Sequence, residues 1–223
     1  MRIPVARNIL SANDQVAEEN RATFAATRTF AINLMASPGA GKTSLILATA
    51  ARLPAGVRPG VIEGDLASRI DAERVAAHGI SVVQINTGGN CHLDAPMIRT
   101  ALADLPLAEI DLLFIENVGN LVCPAEFDLC ANRAVVVAST PEGHDKPYKY
   151  PAMFAAADAV VLNKADVLAV FDFDLDFFRR WVAMVNQKAP VFVVSCRTGA
   201  GLAAWSAWLM EQAGVQRGSV GRG

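Results

Sequence analysis

The sequence is poor in the features that mark membrane, secreted and nucleic-acid-binding proteins. No stretch of its 223 residues approaches the roughly 20 consecutive apolar positions that a helical membrane span needs. The opening MRIPVARNIL has no sustained apolar core ahead of a cleavage site, so no secretory signal is expected. Neither sign of charge dominates: 20 Lys and Arg stand against 22 Asp and Glu, for a formal net charge of -2. With a pI near 5.9 there is no electrostatic footprint for nucleic acid. Cysteine occurs only at 91, 123, 130 and 196, and the irregular spacing builds no disulfide framework. Reduced thiols in a cytoplasmic protein are the expected state. Histidine is scarcer still, at 78, 92 and 144. Internal repeats, low-complexity tracts and interdomain linkers are missing too.

What is present is a large apolar share, 52% hydrophobic against 19% charged, enough for a sizeable core in one α/β domain. Seven apolar runs of strand length lie at 29–36, 60–65, 80–85, 110–116, 133–139, 158–163 and 189–195. They are nearly continuous rather than alternating, as in strands buried on both faces of a parallel sheet. Helical patterns fall at 11–26, 43–51, 71–78, 95–103, 172–188 and 202–213. In the fifth of these, Leu175, Phe178, Val182 and Val185 follow helical spacing. The alternation predicts an α/β fold with a mostly parallel central sheet and helices on both faces. A single domain with a leading helix is expected over 1–213, followed by a disordered tail at 214–223.

ASPGAGKTS, residues 36–44, follows a strand and opens a helix. A strict phosphate-loop pattern begins with Gly, where this chain has Ala36. The remainder, Ser37, Pro38, Gly39, Ala40, Gly41, Lys42, Thr43 and Ser44, fits a loop whose backbone N–H groups converge on phosphate oxygens. Lys42 would neutralise the β- and γ-phosphates and the Thr43 hydroxyl would bind Mg²⁺. NKAD, at 163–166, ends another apolar run. The Asp166 carboxylate can accept from both N1–H and the exocyclic amine of guanine, a donor pair that adenine lacks. Lys164 would pack along the base and Asn163 would brace the loop. SCRTGAG follows the next run, and its Ser195, Cys196 and Arg197 are candidates to face the guanine oxygen; an ordinary strand-to-helix turn is the alternative.

ENVGN, at 116–120, leaves a strand with an acid and reaches Gly three residues later. Glu116 is expected on Mg²⁺ or its water shell, and the Gly119 N–H on the γ-phosphate, where it would sense hydrolysis. Asp65 closes a further strand and is a second candidate to hold Mg²⁺ or polarise the attacking water, or else a helix N-cap. No Gln is placed to orient water, so slow intrinsic hydrolysis is expected.

Cys91 and His92 adjoin in NTGGNCHLDAP, after the third strand, and Cys123 follows the fourth. In a parallel sheet both loops leave from carboxyl ends, on the side that binds nucleotide. Two readings stand open. Thiolate, imidazole and thiolate suit Ni²⁺ or Zn²⁺, and two copies of the chain would complete a four-coordinate site. Alternatively, both cysteines are small buried hydrophobes and His92 a surface residue. Cysteine catalysis with His92 as base is disfavoured because adjacent side chains rarely point at one another. Cys130 and Cys196 read as core.

The stretches SPGAGKTSL, EGDLASRIDAERV, INTGGNCHLDAPMI, ENVGNLVCPAEFDL, EGHDKPYKYP and VLNKAD together resemble the HypB-type nickel-incorporation GTPases of hydrogenase maturation, in the SIMIBI class of P-loop proteins. ANDQVAEENR is similar to that family's leading helix, and the resemblance runs from about residue 9 to about 213. It implies use of GTP and GDP with Mg²⁺. It further implies Ni²⁺ or Zn²⁺ on Cys91, His92 and Cys123 at the interface of a GTP-dependent homodimer. A HypA-type nickel chaperone and the large subunit of a [NiFe] hydrogenase are the implied partners. Lys146, in EGHDKP, is implied to reach toward the partner's guanine site beside Asp166. An amino-terminal Cys motif and a His-rich stretch, frequent in the family, do not appear here, so nickel storage is not expected. Cys130 stands where the family usually shows Gly, which bears on the local turn. A urease-maturation GTPase is the alternative, but its Cys-Pro-His metal motif is missing.

Overall fold

Each apolar run becomes a strand of one sheet in the computed structural model, which describes residues 7–66 and 68–214. The strands are β1 (Phe30–Ala36), β2 (Pro59–Asp65), β3 (Ser81–Asn86), β4 (Leu112–Glu116), β5 (Arg133–Ser139), β6 (Ala159–Asn163) and β7 (Val191–Val193). Their spatial order is β3-β2-β4-β1-β5-β6-β7 and every neighbouring pair is parallel, so the sheet is fully rather than mostly parallel. The helices are α1 (Arg7–Thr27), α2 (Lys42–Ala50), α3 (Ile70–Ala76), α4 (Ala95–Leu102), α5 (Lys146–Lys149), α6 (Pro151–Ala155), α7 (Leu175–Val185) and α8 (Leu202–Gln212).

Successive strand residues face opposite sides of a sheet, and the core divides accordingly. Ile32 and Leu34 of β1 pack with Leu45 and Ile46 of α2 and with Trp205 and Leu209 of α8. Ala31 joins Phe24 of α1 and Ile98 of α4 on the other side. Met35, also on that side, lies with Phe154 of α6 and with Phe178 and Val182 of α7. Because all seven strands are parallel, Ala36, Asp65, Asn86, Glu116, Ser139 and Asn163 end on one edge of the sheet. β1 lies where the strand order reverses, which opens the crevice used by ligands in such sheets.

Several boundaries depart from the pattern-based expectation, each for a local reason. α7 is narrower than 172–188 because the Asp174 side chain caps it, accepting from the Phe177 N–H at 2.8 Å. At its far end the Asn186 amide bonds the carbonyls of Phe154, Ala155 and Ala157 instead of continuing the helix. α5 and α6 lie outside the expected helices; Pro147 and Pro151 occupy first-turn positions, where a missing N–H costs nothing. α1 begins earlier than expected, at Arg7. The tail expected to be disordered lies outside the described residues apart from Gly214. Among the described residues no helix is long and apolar enough to cross a membrane.

Trp205 anchors the α8 side of the core. It is fully buried, donates its indole N–H to Thr49 Oγ1 at 2.8 Å, and packs against Phe192 and Trp208. Trp205→Ala should lower the unfolding free energy by about 3–5 kcal/mol, measured by chemical denaturation. Trp205→Phe, which loses mainly the hydrogen bond, should cost about 1–2 kcal/mol.

Candidate functional site

The β1–α2 loop turns with Gly39 at φ +76 and Gly41 at φ +97. A Cβ on Gly41 would lie 2.5 Å from Asn163 Nδ2, so glycine is required both by conformation and by space. Lys42 and Thr43 then start α2 with their side chains turned inward, 9% and 4% exposed. Thr43 Oγ1 donates to Glu116 Oε1 at 3.0 Å, and Lys42 Nζ lies 4.0 Å from the same oxygen. Gly119 approaches this loop so closely that a Cβ would lie 2.9 Å from Pro38. On the other flank, the Ser37 and Ser139 hydroxyls both donate to the Glu142 carboxylate, whose own burial raises its pKa. Sequence reasoning did not single out Glu142.

A second carboxylate was also missed. Glu63 of β2 sits in register beside Glu116 of β4, and the two are only 2% and 4% exposed. Burial pushes Glu63 up to about 8, reinforced by the charges of Glu116 and Asp65. Burial likewise pushes Glu116 up to about 7, opposed by Lys42 and the Thr43 hydrogen bond. One oxygen of each, Glu63 Oε2 and Glu116 Oε2, is buried with no hydrogen-bond partner. A hard divalent cation takes oxygen ligands of this kind, so the Thr43 hydroxyl and the Glu116 carboxylate fit Mg²⁺. Asp65 accepts the Ser68 N–H at 2.8 Å in the turn leaving β2, and the N-cap of α3 is Arg69, so Asp65 shapes a turn rather than capping the helix. The available signal for Glu63 was a carboxylate inside an otherwise apolar strand.

Asn163 is the junction of the base-side loops. Buried at 2% exposure, its Nδ2 donates to the Ala40 carbonyl at 3.1 Å, while its Oδ1 accepts from Lys164 N at 2.8 Å and Cys196 N at 3.3 Å. Lys164, in the left-handed region at φ +59, donates its ammonium to the Gly39 carbonyl at 2.6 Å. Asp166 accepts from the Ser195 hydroxyl at 2.7 Å, which holds its carboxyl below the usual range, and Arg197 lies 3.8 Å away. An ionised Asp166 is acceptor-only, as a guanine edge requires. Lys146 has no ion pair with Asp166 within the chain; its ammonium lies 5.8 Å from the Tyr150 ring centre.

Cys91, His92 and Cys123 converge although β3 and β4 are separated by β2. The two sulfurs are 2.9 Å apart, Cys91 Sγ is 3.7 Å from His92 Nδ1, and one ligand atom from each residue lies within 4.8 Å of the others. The His92 ring stacks on Phe127 at 3.9 Å between centres and 20° between planes, which fixes its orientation. The shared hydrogen bond with Cys91 raises the Cys123 thiol. Both loops are tied to α1: Asn13 accepts the Ala95 N–H at 2.8 Å and donates to the Asp128 carbonyl at 2.9 Å, and Asn20 donates to the Ala95 carbonyl at 2.9 Å. Of the other cysteines, Cys130 is buried and Cys196 half-buried against the core, where burial pushes their thiols up to about 12 and about 11. Cys130 keeps the turn that its position demands by adopting φ +69, with its N–H on Asp128 Oδ1 at 2.7 Å.

The carboxylate pair has a consequence for stability. A carboxyl with a raised folded-state pKa binds its proton more tightly when folded, so its stabilisation is full below pH 4.5 and is lost as pH rises toward about 8. The cation-free protein should therefore melt at progressively lower temperature between pH 5 and 8, and Glu63→Gln should flatten that slope in a thermal melting series.

Residues 30–193 match the family described as CobW/HypB/UreG, nucleotide-binding domain. The chain is 49% identical over 212 residues to the hydrogenase maturation factor HypB of Azotobacter vinelandii, covering 95% of this chain and 70% of that protein. Its structure superposes on the crystal structure of HypB from Helicobacter pylori in complex with nickel with a TM-score of 0.87 at 37% identity, covering 94% of this chain and all of that one. For HypB from Archaeoglobus fulgidus the TM-score is 0.86 at 38% identity, with 92% of this chain and all of that one covered. The chain belongs to the HypB hydrogenase maturation factors of the CobW/HypB/UreG nucleotide-binding family.

Proposed function

We propose that this protein is a GTP-hydrolysing metallochaperone that carries nickel on Cys91, His92 and Cys123 and assists its insertion into a [NiFe] hydrogenase. The observation that carries the reading is the convergence of those three ligand atoms on the edge of the sheet that also holds the phosphate loop and Glu116. A relative of the same fold is known in complex with nickel, which supports nickel over zinc as cargo. Two thiolates and one imidazole leave a four-coordinate ion incomplete, so the reading includes a GTP-bound homodimer whose second copy completes the site. Lys146 would then reach the partner's guanine pocket. A HypA-type chaperone would supply the ion and the hydrogenase large subunit would receive it. Thiolate ligands need a reducing compartment, which favours the cytoplasm.

In the hydrolysis that this reading assigns, Lys42 neutralises charge developing on the β- and γ-phosphate oxygens. Thr43 and Glu116 would hold Mg²⁺, which when bound would supply Lewis-acid stabilisation. Asp65 or the neighbouring Glu63 polarises the attacking water. Slow intrinsic turnover is part of this reading.

Asp166→Asn replaces an acceptor by an amide that donates to one edge atom and accepts from another. Preference should move from GTP toward XTP, whose C2 carbonyl accepts, with GTP affinity falling about tenfold or more in competition binding. Cys91→Ala and Cys123→Ala should each abolish stoichiometric nickel binding while leaving GDP affinity unchanged, read by equilibrium dialysis. Nickel stoichiometry unchanged from wild type in both variants would refute the metal reading.

A further inference from the structure

Resting on the reading of this site as a nucleotide-linked nickel carrier, we propose that Asn117 is the positioning residue that transmits the state of the phosphate site to the metal-binding loop. Asn117 follows Glu116 directly and is fully buried. Its Oδ1 accepts two backbone hydrogen bonds, from Val118 N at 2.9 Å in its own loop and from Leu93 N at 3.1 Å in the metal loop. Its Nδ2 donates to Asn33 Oδ1 of β1 at 3.2 Å, and its own N–H donates to the Leu34 carbonyl at 3.0 Å. One amide therefore joins β1, the 116–119 segment and the residue immediately after His92.

Leu93 is the anchor of the metal loop. Its side chain is fully buried and fills the space over Gly64, where a Cβ would lie 2.8 Å from it. Gly64 stands between Glu63 and Asp65, so Leu93 packs directly on the strand that carries both carboxylates. Two residues beyond Asn117, Gly119 abuts Pro38 of the phosphate loop. Contacts thus run without interruption from Pro38 through Gly119 and Asn117 to Leu93, and so to His92 and Cys91. The other end of the metal loop is held differently. Ala95 is bonded by Asn13 and Asn20 of α1, neither of which hydrogen-bonds the phosphate loop. The loop carrying two ligands has one end fixed to α1 and one end fastened to the segment that meets the γ-phosphate. A shift of the 116–119 backbone must either carry Leu93 with it or strand a buried N–H, which is unfavourable.

The test is a nickel titration of the full chain with GDP and then with a non-hydrolysable GTP analogue, read by thiolate-to-nickel charge-transfer absorption. Wild type should show nickel affinities that differ about fivefold or more between the two states. Asn117→Ala should bring the two within about twofold of each other. Asn13→Ala should weaken nickel binding in both states by a similar factor and leave their ratio intact. In wild type, amide hydrogen exchange at Leu93 should change between the two nucleotides, a readout that needs no variant to fold. A wild-type ratio preserved in Asn117→Ala, or Leu93 exchange identical in both states while nickel affinity differs, would overturn the role of Asn117 and leave the carrier reading standing. Equal nickel affinities in both states of wild type would overturn the nucleotide linkage itself, and this proposal with it.

Discussion

A parallel strand cannot return by a tight turn, and the rest of this structure follows from that constraint. Every connection must cross a face of the sheet before the next strand begins, so helices cover both faces and the functional loops collect on one edge. The phosphate loop, the buried carboxylates, the NKAD loop and the paired thiols come from separate places in the chain, yet the fold has nowhere else to put them. The two cysteines are 32 residues apart and leave from strands separated by β2, but their sulfurs meet.

The edge is held together by buried amides. Asn163 joins the phosphate loop to both base-side loops, Asn117 joins β1 to the metal loop, and Asn13 and Asn20 join that loop to α1. An amide side chain offers two donors and an accepting oxygen without a charge, so it can satisfy several loop backbone groups where an ionised side chain would be expensive to bury. At the phosphate loop two buried carboxylates, Glu63 and Glu116, retain an unpartnered oxygen each.

How much of this was legible beforehand depended on whether the signal was local. Continuous apolar runs identified all seven strands, because burial on both faces leaves no polar alternation in the central ones, while the partly exposed edge strands β3 and β7 still carry short apolar runs. Gly41, Lys42, Thr43 and Asp166 stood out in short motifs, since phosphate and guanine chemistry would demand fixed residue types at fixed spacing, and the fold brings their loops to one edge of the sheet. The meeting of Cys91 with Cys123 could be anticipated from topology, although the separation of their sulfurs could not. Asn117, Asn163 as a junction and the α1 asparagines act through backbone atoms distant in sequence, and nothing in a single Asn announces its partners. Glu63 hid in a strand whose apolar neighbours looked purely structural. Helix ends at Asp174 and Asn186 were set by side-chain capping, which pattern reading blurs by a few residues.

The placement of the thiols gives the cargo a mechanical meaning. An ion held by Cys91 and Cys123 would cross-link two loops that otherwise meet only through side chains, closing a 32-residue segment of chain that includes α4 and β4. The loaded protein is then the stiffer one, and surrendering the ion restores freedom to the loops that face a recipient. Delivery would be assisted by the carrier's own recovered entropy, and a tightly packed core beneath those loops would confine that recovery to the edge of the sheet.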